Sequence, residues 1–170
     1  MNKILKIYSG ALILAITATT SYAAQTCSSN ISATTPSSRF ELLNGGNEVK
    51  DKQTGLIWQR CSVGQTWDGK SCTGEAKKYT WQQALKATKE IGNHYRLPNI
   101  KELKTILEHQ CQTPAINTSI FDNTASSYYW SSSPRANRHK NAWSVDFDKG
   151  HDNGNNIKTN SYPVRAVRSQ

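Results

Sequence analysis

Four cysteines, Cys27, Cys61, Cys72 and Cys111, constrain this chain more than any other feature. They follow an N-terminal stretch with the form of an export signal. Lys3 and Lys6 give it a positive start, and an apolar run extends from Ala11 to Ala18. Ser21-Tyr22-Ala23 then sets small residues at −3 and −1 of a cleavage point after Ala23. The run is shorter than the roughly 20 residues a spanning helix needs, so it reads as a cleaved signal over residues 1–23. No cysteine sits at the cut to take a lipid anchor. The chain is expected to be exported, to the periplasm or the cell surface. An even cysteine count in an oxidising compartment reads as two disulfides. Of the three possible pairings, the short Gly-containing segment Ser62–Ser71 favours Cys61–Cys72, which leaves Cys27–Cys111. A zinc site is the rival reading, but the chain has no C-x-x-C spacing.

The length left after cleavage suits one domain with one core, and all five tryptophans fall within it. Residues 24–39 are rich in Ser, Thr and Asn and read as a flexible lead-in held by Cys27. Residues 40–170 read as the domain. Phe40–Leu43, Glu48–Asp51 and Leu56–Trp58 are expected strands, with turns at Asn44–Asn47 and Lys52–Gly55. Two helices carry capping boxes, Thr80 with Gln83 and Asn99 with Glu102. The first is expected to end at Gly92-Asn93. The second has Ile100, Leu103, Ile106 and Leu107 inward and Lys101, Lys104 and Glu108 in water. Tyr128–Ser133 and Ala142–Phe147 read as strands, Asp148–Asn156 as a loop, and Tyr162–Val167 as a closing strand. Helices set between groups of strands predict an α+β fold, two helices packed on a mainly antiparallel twisted sheet.

Lys and Arg number 21 against 12 Asp and Glu, and loss of Lys3 and Lys6 keeps the balance basic. A basic exported domain meets anionic partners. The densest charge is the loop Arg135-Ala136-Asn137-Arg138-His139-Lys140, expected to lie beside the loop containing His151. Arginine forks match sulfate and phosphate oxygens, and Tyr128 and Tyr129 are placed to stack on sugar rings. The expected ligand-binding set is therefore Arg135, Arg138, His139, Lys140, Tyr128 and Tyr129. Trp58, Trp81, Trp130 and Trp143 read as core. Arg96 reads as a structural residue holding a carboxylate or loop carbonyls. Ser131–Ser133 and the four histidines lack the G-x-S-x-G context of a serine hydrolase. Asp146, Asp148, Asp152 and the asparagines after them offer oxygen atoms for calcium, but Gly150 breaks the EF-hand pattern. No metal or cofactor is expected.

Five ordered segments carry a resemblance. They are Asp51–Arg60 (DKQTGLIWQR), Tyr95–Leu103 (YRLPNIKEL), Tyr129–Ser133 (YWSSS), Ala142–Phe147 (AWSVDF) and Val164–Arg168 (VRAVR). From about Phe40 to Arg168 the chain resembles the Lcl C-terminal domain family. Cys61–Cys72 also looks like one subgroup of it. The resemblance implies an exported bacterial protein with a C-type-lectin-like fold, the fold that also underlies the formylglycine-generating enzymes. One member type carries the domain on a collagen-like stalk and is an adhesin for sulfated glycosaminoglycans. This chain has no Gly-X-Y tract. Formylglycine-type chemistry needs a reactive cysteine pair, whereas all four cysteines here are expected in disulfides. The resulting expectation is a non-catalytic binding module for an anionic glycan or a cell-envelope component, with no specific nucleic acid. A structural or accessory subunit of an envelope or pilus-like assembly is the second reading, and an enzyme of the formylglycine-generating-like fold the third.

Overall fold

A computed structural model describes residues 24–170. The expected signal segment, residues 1–23, lies outside them. Eleven short strands and two helices follow in the order β1 (Thr26–Cys27), β2 (Phe40–Leu43), β3 (Glu48–Asp51), β4 (Ile57–Gln59), β5 (Thr66–Trp67), β6 (Cys72–Thr73), α1 (Trp81–Glu90), α2 (Ile100–Lys104), β7 (Cys111–Gln112), β8 (Tyr128–Pro134), β9 (Asn141–Asp146), β10 (His151–Ile157) and β11 (Val167–Arg168). Every pairing between these strands is antiparallel. The larger sheets have the orders β11-β4-β3-β2 and β10-β9-β8, and β1-β7 and β5-β6 are two-stranded. The fold is α+β, with its strands divided between separate sheets. Among the described residues, no helix is long and apolar enough to cross a membrane.

Local chemistry starts both helices. Thr80 accepts from the Gln83 amide while the Gln83 side chain returns to Thr80 N–H, and Asn99 and Glu102 do the same for α2. Gly92, at φ 79°, follows α1 in a left-handed conformation that favours glycine. Helix α1 packs on β8, and α2 packs on β8, β9 and β10. Phe40, Val49, Trp58, Leu103, Ile106, Phe121, Tyr129, Val145, Phe147 and Val167 form the main core. A second cluster of Ala84, Leu97, Trp130, Ala142 and Val164 lies under α1. Arg96 holds Glu102 with two parallel bonds of 2.7 Å. Both disulfides, Cys61–Cys72 and Cys27–Cys111, are present as paired from the sequence.

Residues 24–39, read as a flexible lead-in, are bonded to the rest of the domain at several points. β1 pairs with β7, and the Gln25 amide donates to Pro114 O (2.6 Å) and Ile116 O (2.7 Å). Glu108 is buried, not in water, because α2 ends at Lys104 and the chain turns inward. Its carboxylate accepts from the amides and hydroxyls of Thr34 and Thr35 at 2.8–3.0 Å. Asp148–Asn156 is mostly strand β10 rather than loop, because β9 supplies partners that override its weak strand composition. The closing strand is also shorter than expected: Tyr162 makes one bridge to Tyr79, and only Val167 and Arg168 form β11.

Glu48, Asp51, Glu102 and Glu108 share one electrostatic property. Burial alone would raise the pKa of each. Hydrogen bonds more than offset it, from Arg168 and Tyr95, Arg39 and Thr54, Arg96 and Asn99, and Thr34, Gln110 and Thr35 respectively, and hold all four below the usual carboxylate range. A depressed folded pKa means the unfolded chain binds more protons. The stability is then present at neutral pH and is lost as pH falls through the ordinary carboxylate pKa to the folded one. The urea midpoint is expected to hold near neutrality and drop steadily below about pH 4.5. Hydrogen exchange at the Thr34 and Thr35 amides should accelerate over the same range. A flat midpoint down to pH 3 contradicts this account.

Candidate functional site

β8 and β9 are joined by the turn that carries the basic residues, and β10 lies on the far side of β9. Asn141 in β9 is paired with Ile157 in β10, so the turn sits at the C-terminal end of β10. His151 is paired with Asp146 at the opposite end. The basic turn is therefore not beside His151, as the chain order suggested. A seven-residue strand separates the two by roughly 20 Å.

At the turn, Arg135 and Arg138 converge on a single neutral atom. Their Nη1 atoms donate to Asn155 Oδ1 at 3.1 and 3.4 Å. The Arg135 guanidinium also stands over the Trp143 ring, 5.3 Å from its centroid. Gly154 makes room for this stack. A Cβ there would meet Arg135 Nη1 at 2.7 Å and Trp143 ring carbons at 3.0 Å. Lys158 completes the group. Its Nζ donates to His139 O at 2.8 Å and lies 4.3 Å from the centroid of a Trp81 ring. Arg138, His139 and Lys140 are exposed, and Arg135 is half-buried. Among the described residues, no carboxylate lies within ion-pair distance of Arg135, Arg138, Lys140 or Lys158.

This arrangement is suited to a tetrahedral oxyanion. Two like-charged forks repel, and sharing one amide oxygen neutralises neither. A sulfate or phosphate oxygen that replaced Asn155 Oδ1 would satisfy both forks at once. Asn155 Oδ1 already holds both, and the Trp143 ring backs Arg135.

Four of the six expected ligand residues, Arg135, Arg138, His139 and Lys140, are on this turn. Tyr128 and Tyr129 are not. They begin β8 while the turn follows its end, and the extended strand carries them roughly 20 Å away. Tyr129 is fully buried, against Phe147 and hydrogen-bonded to Ser62, so it cannot stack on a ligand. Tyr128 packs on Tyr162. Asn155 was weighed only as an oxygen donor for calcium and Lys158 was missed, because they reach the turn from β10 and the residue after it. Trp58 and Trp130 are core, whereas Trp81 and Trp143 are half-buried and present faces to cations. The oxygen donors considered for calcium are engaged separately. Asp152 pairs with Lys104, Asp148 with Lys149 and Thr113, and Asp146 caps the Asp148 amide. Among the described residues, no group of three His, Cys, Asp or Glu side chains is placed to hold a metal ion.

The family model described as the Lcl C-terminal domain matches residues 47–168, a range that includes both larger sheets except β2 and the whole basic turn. No curated protein matches the chain.

Proposed function

Because this chain belongs to the Lcl C-terminal domain family, we propose that it is an exported, non-catalytic binding module that recognises an anionic glycan through its basic turn. The observation that carries this reading is the convergence of Arg135 and Arg138 on Asn155 Oδ1, with no carboxylate nearby among the described residues. Trp143 and Trp81 give the site apolar faces beside the charges, which suits a sulfated sugar better than a free ion. On this reading the domain is C-type-lectin-like, and its two disulfides suit a periplasmic or cell-surface location.

The test is retention on heparin at low salt. The parent protein is expected to bind and to elute as salt screens the contact. The Arg135→Ala/Arg138→Ala/Lys140→Ala variant is expected to bind at least about tenfold more weakly, since three surface charges, one of them half-buried, contribute on the order of 0.5–1 kcal/mol each. Unchanged retention would sink the site. Co-purification with an envelope protein, with no glycan bound, favours the accessory-subunit role instead.

A further inference from the structure

A cavity of ≈ 620 Å³ lies at the other end of β8 from the basic turn, within the roughly 300–1,000 Å³ of small-molecule sites. Its walls are Gly74–Ala76 and Lys78, the stretch 123–127 leading into β8, the Thr113-Pro114 turn and Pro163. These walls are fixed before any ligand arrives. Asn123 Nδ2 donates to Cys72 O at 2.8 Å, and Gln65 Nε2 donates to Asn123 O at 3.1 Å and Gly74 O at 3.3 Å. Cys72 is itself held by the disulfide to Cys61. Thr113 and Asn123 both have positive φ, 55° and 49°. For β-branched Thr113 that backbone is costly, and it is maintained by bonds of 2.9 Å from its hydroxyl and its amide to Asp148. Strain of this kind persists where the surroundings over-determine it, as ligand clamps do.

Glu75 and Lys78 form no ion pair with any described residue. Behind the wall lies Arg165, fully buried, whose Nη2 donates to the hydroxyl of wall residue Thr124 at 2.7 Å. It has no carboxylate partner among the described residues. A buried guanidinium behind the floor, with an ammonium and a carboxylate at the rim, complements a ligand that carries both signs of charge. Ser126 and Ser127 add hydroxyls suited to amide groups.

We propose that this cavity is a second ligand site, for a small zwitterion of the amino-acid or short-peptide class. The ligand's carboxylate faces Lys78, and its ammonium faces Glu75. The test is calorimetric titration of the purified protein with L-alanyl-L-alanine, with its N-acetylated form and with its C-amidated form. Saturable binding is expected for the free dipeptide, with each capped form at least about tenfold weaker, the loss of one charge-assisted contact. Lys78→Ala should weaken the free dipeptide and leave the amidated one unaffected, and Glu75→Ala should do the converse for the acetylated one. Both residues are exposed, so unchanged melting temperatures certify the fold. Heparin retention should stay at the parental level in both variants, which separates this site from the basic turn. The proposal is overturned by absence of saturable binding, by equal binding of the capped forms, or by undiminished binding to the Glu75→Ala/Lys78→Ala double variant.

Discussion

A variant with Cys27 and Cys111 both replaced by serine is expected to lose about 4–5 kcal/mol of stability, against about 3 kcal/mol for the Cys61/Cys72 pair. The difference comes from the length of chain each bond closes. The first joins residues 84 apart and the second residues 11 apart, and the entropy removed from the unfolded chain grows with that length. Domains have only about 5–15 kcal/mol in all, so the first loss consumes much of the total. It also frees the N-terminal strap, whose other holds are β1 on β7, Gln25 on the backbone, and Thr34 and Thr35 on Glu108. Urea titration of both double variants at an unchanged m-value measures the two costs. If the Cys61/Cys72 pair proves the costlier, the closed-loop explanation fails. Hydrogen exchange should show residues 24–35 losing protection first.

Arg165→Ala is expected to cost about 3–5 kcal/mol, nearly as much, for a different reason. Arg165 has no exposed surface, and burial pulls its pKa down to about 10, which still leaves it charged at neutral pH. It is held by oxygens instead of a carboxylate. The carbonyls of Gln59 and Arg60 accept from Nη1, the hydroxyls of Ser62 and Thr124 from Nη2, and the Phe121 ring lies 4.9 Å away. Removing the side chain strands two buried carbonyls, each worth roughly 1–3 kcal/mol, and opens a void between the sheets. Arg165→Met separates these effects, because it keeps most of the volume and supplies no donor. Its midpoint should fall between those of the parent and Arg165→Ala. A methionine variant as stable as the parent would show that the hydrogen bonds contribute nothing.

What the sequence disclosed and what it hid divide along a physical line. Both helix starts were legible because a capping box lies within four residues, Thr80 to Gln83 and Asn99 to Glu102. The Cys61–Cys72 bridge was legible because its loop is short. Strand β10 was not, since Asp152, Asn153, Gly154 and Asn155 have poor strand propensity and gain their pairing from β9. Periodicity carried past Lys104 put Glu108 in water, when the helix had already ended. The site split in the same way. The run 135–140 announced itself by charge. Asn155, Trp143 and Lys158 reach it only because three strands lie side by side. Tyr128 and Tyr129 looked like neighbours of the turn until the length of an extended strand was counted.

The pairing of β11 has a consequence for how the chain is made. Val167 is paired in register with Trp58 in β4 and exchanges both of its backbone hydrogen bonds with Arg96, and Val164 and Ala166 accept from Val63 and Gln59. The buried segment Val164–Val167 thus forms an interior member of the architecture, not its trim. A nascent chain that has released everything up to α2 still lacks the piece that joins the two halves. Until residues 164–168 pair with β4 and Arg96, the fold does not lock. Ser169 and Gln170 lie exposed beyond that lock. Extension after Gln170 should therefore be harmless, while trimming back past Arg168 unpicks the whole assembly.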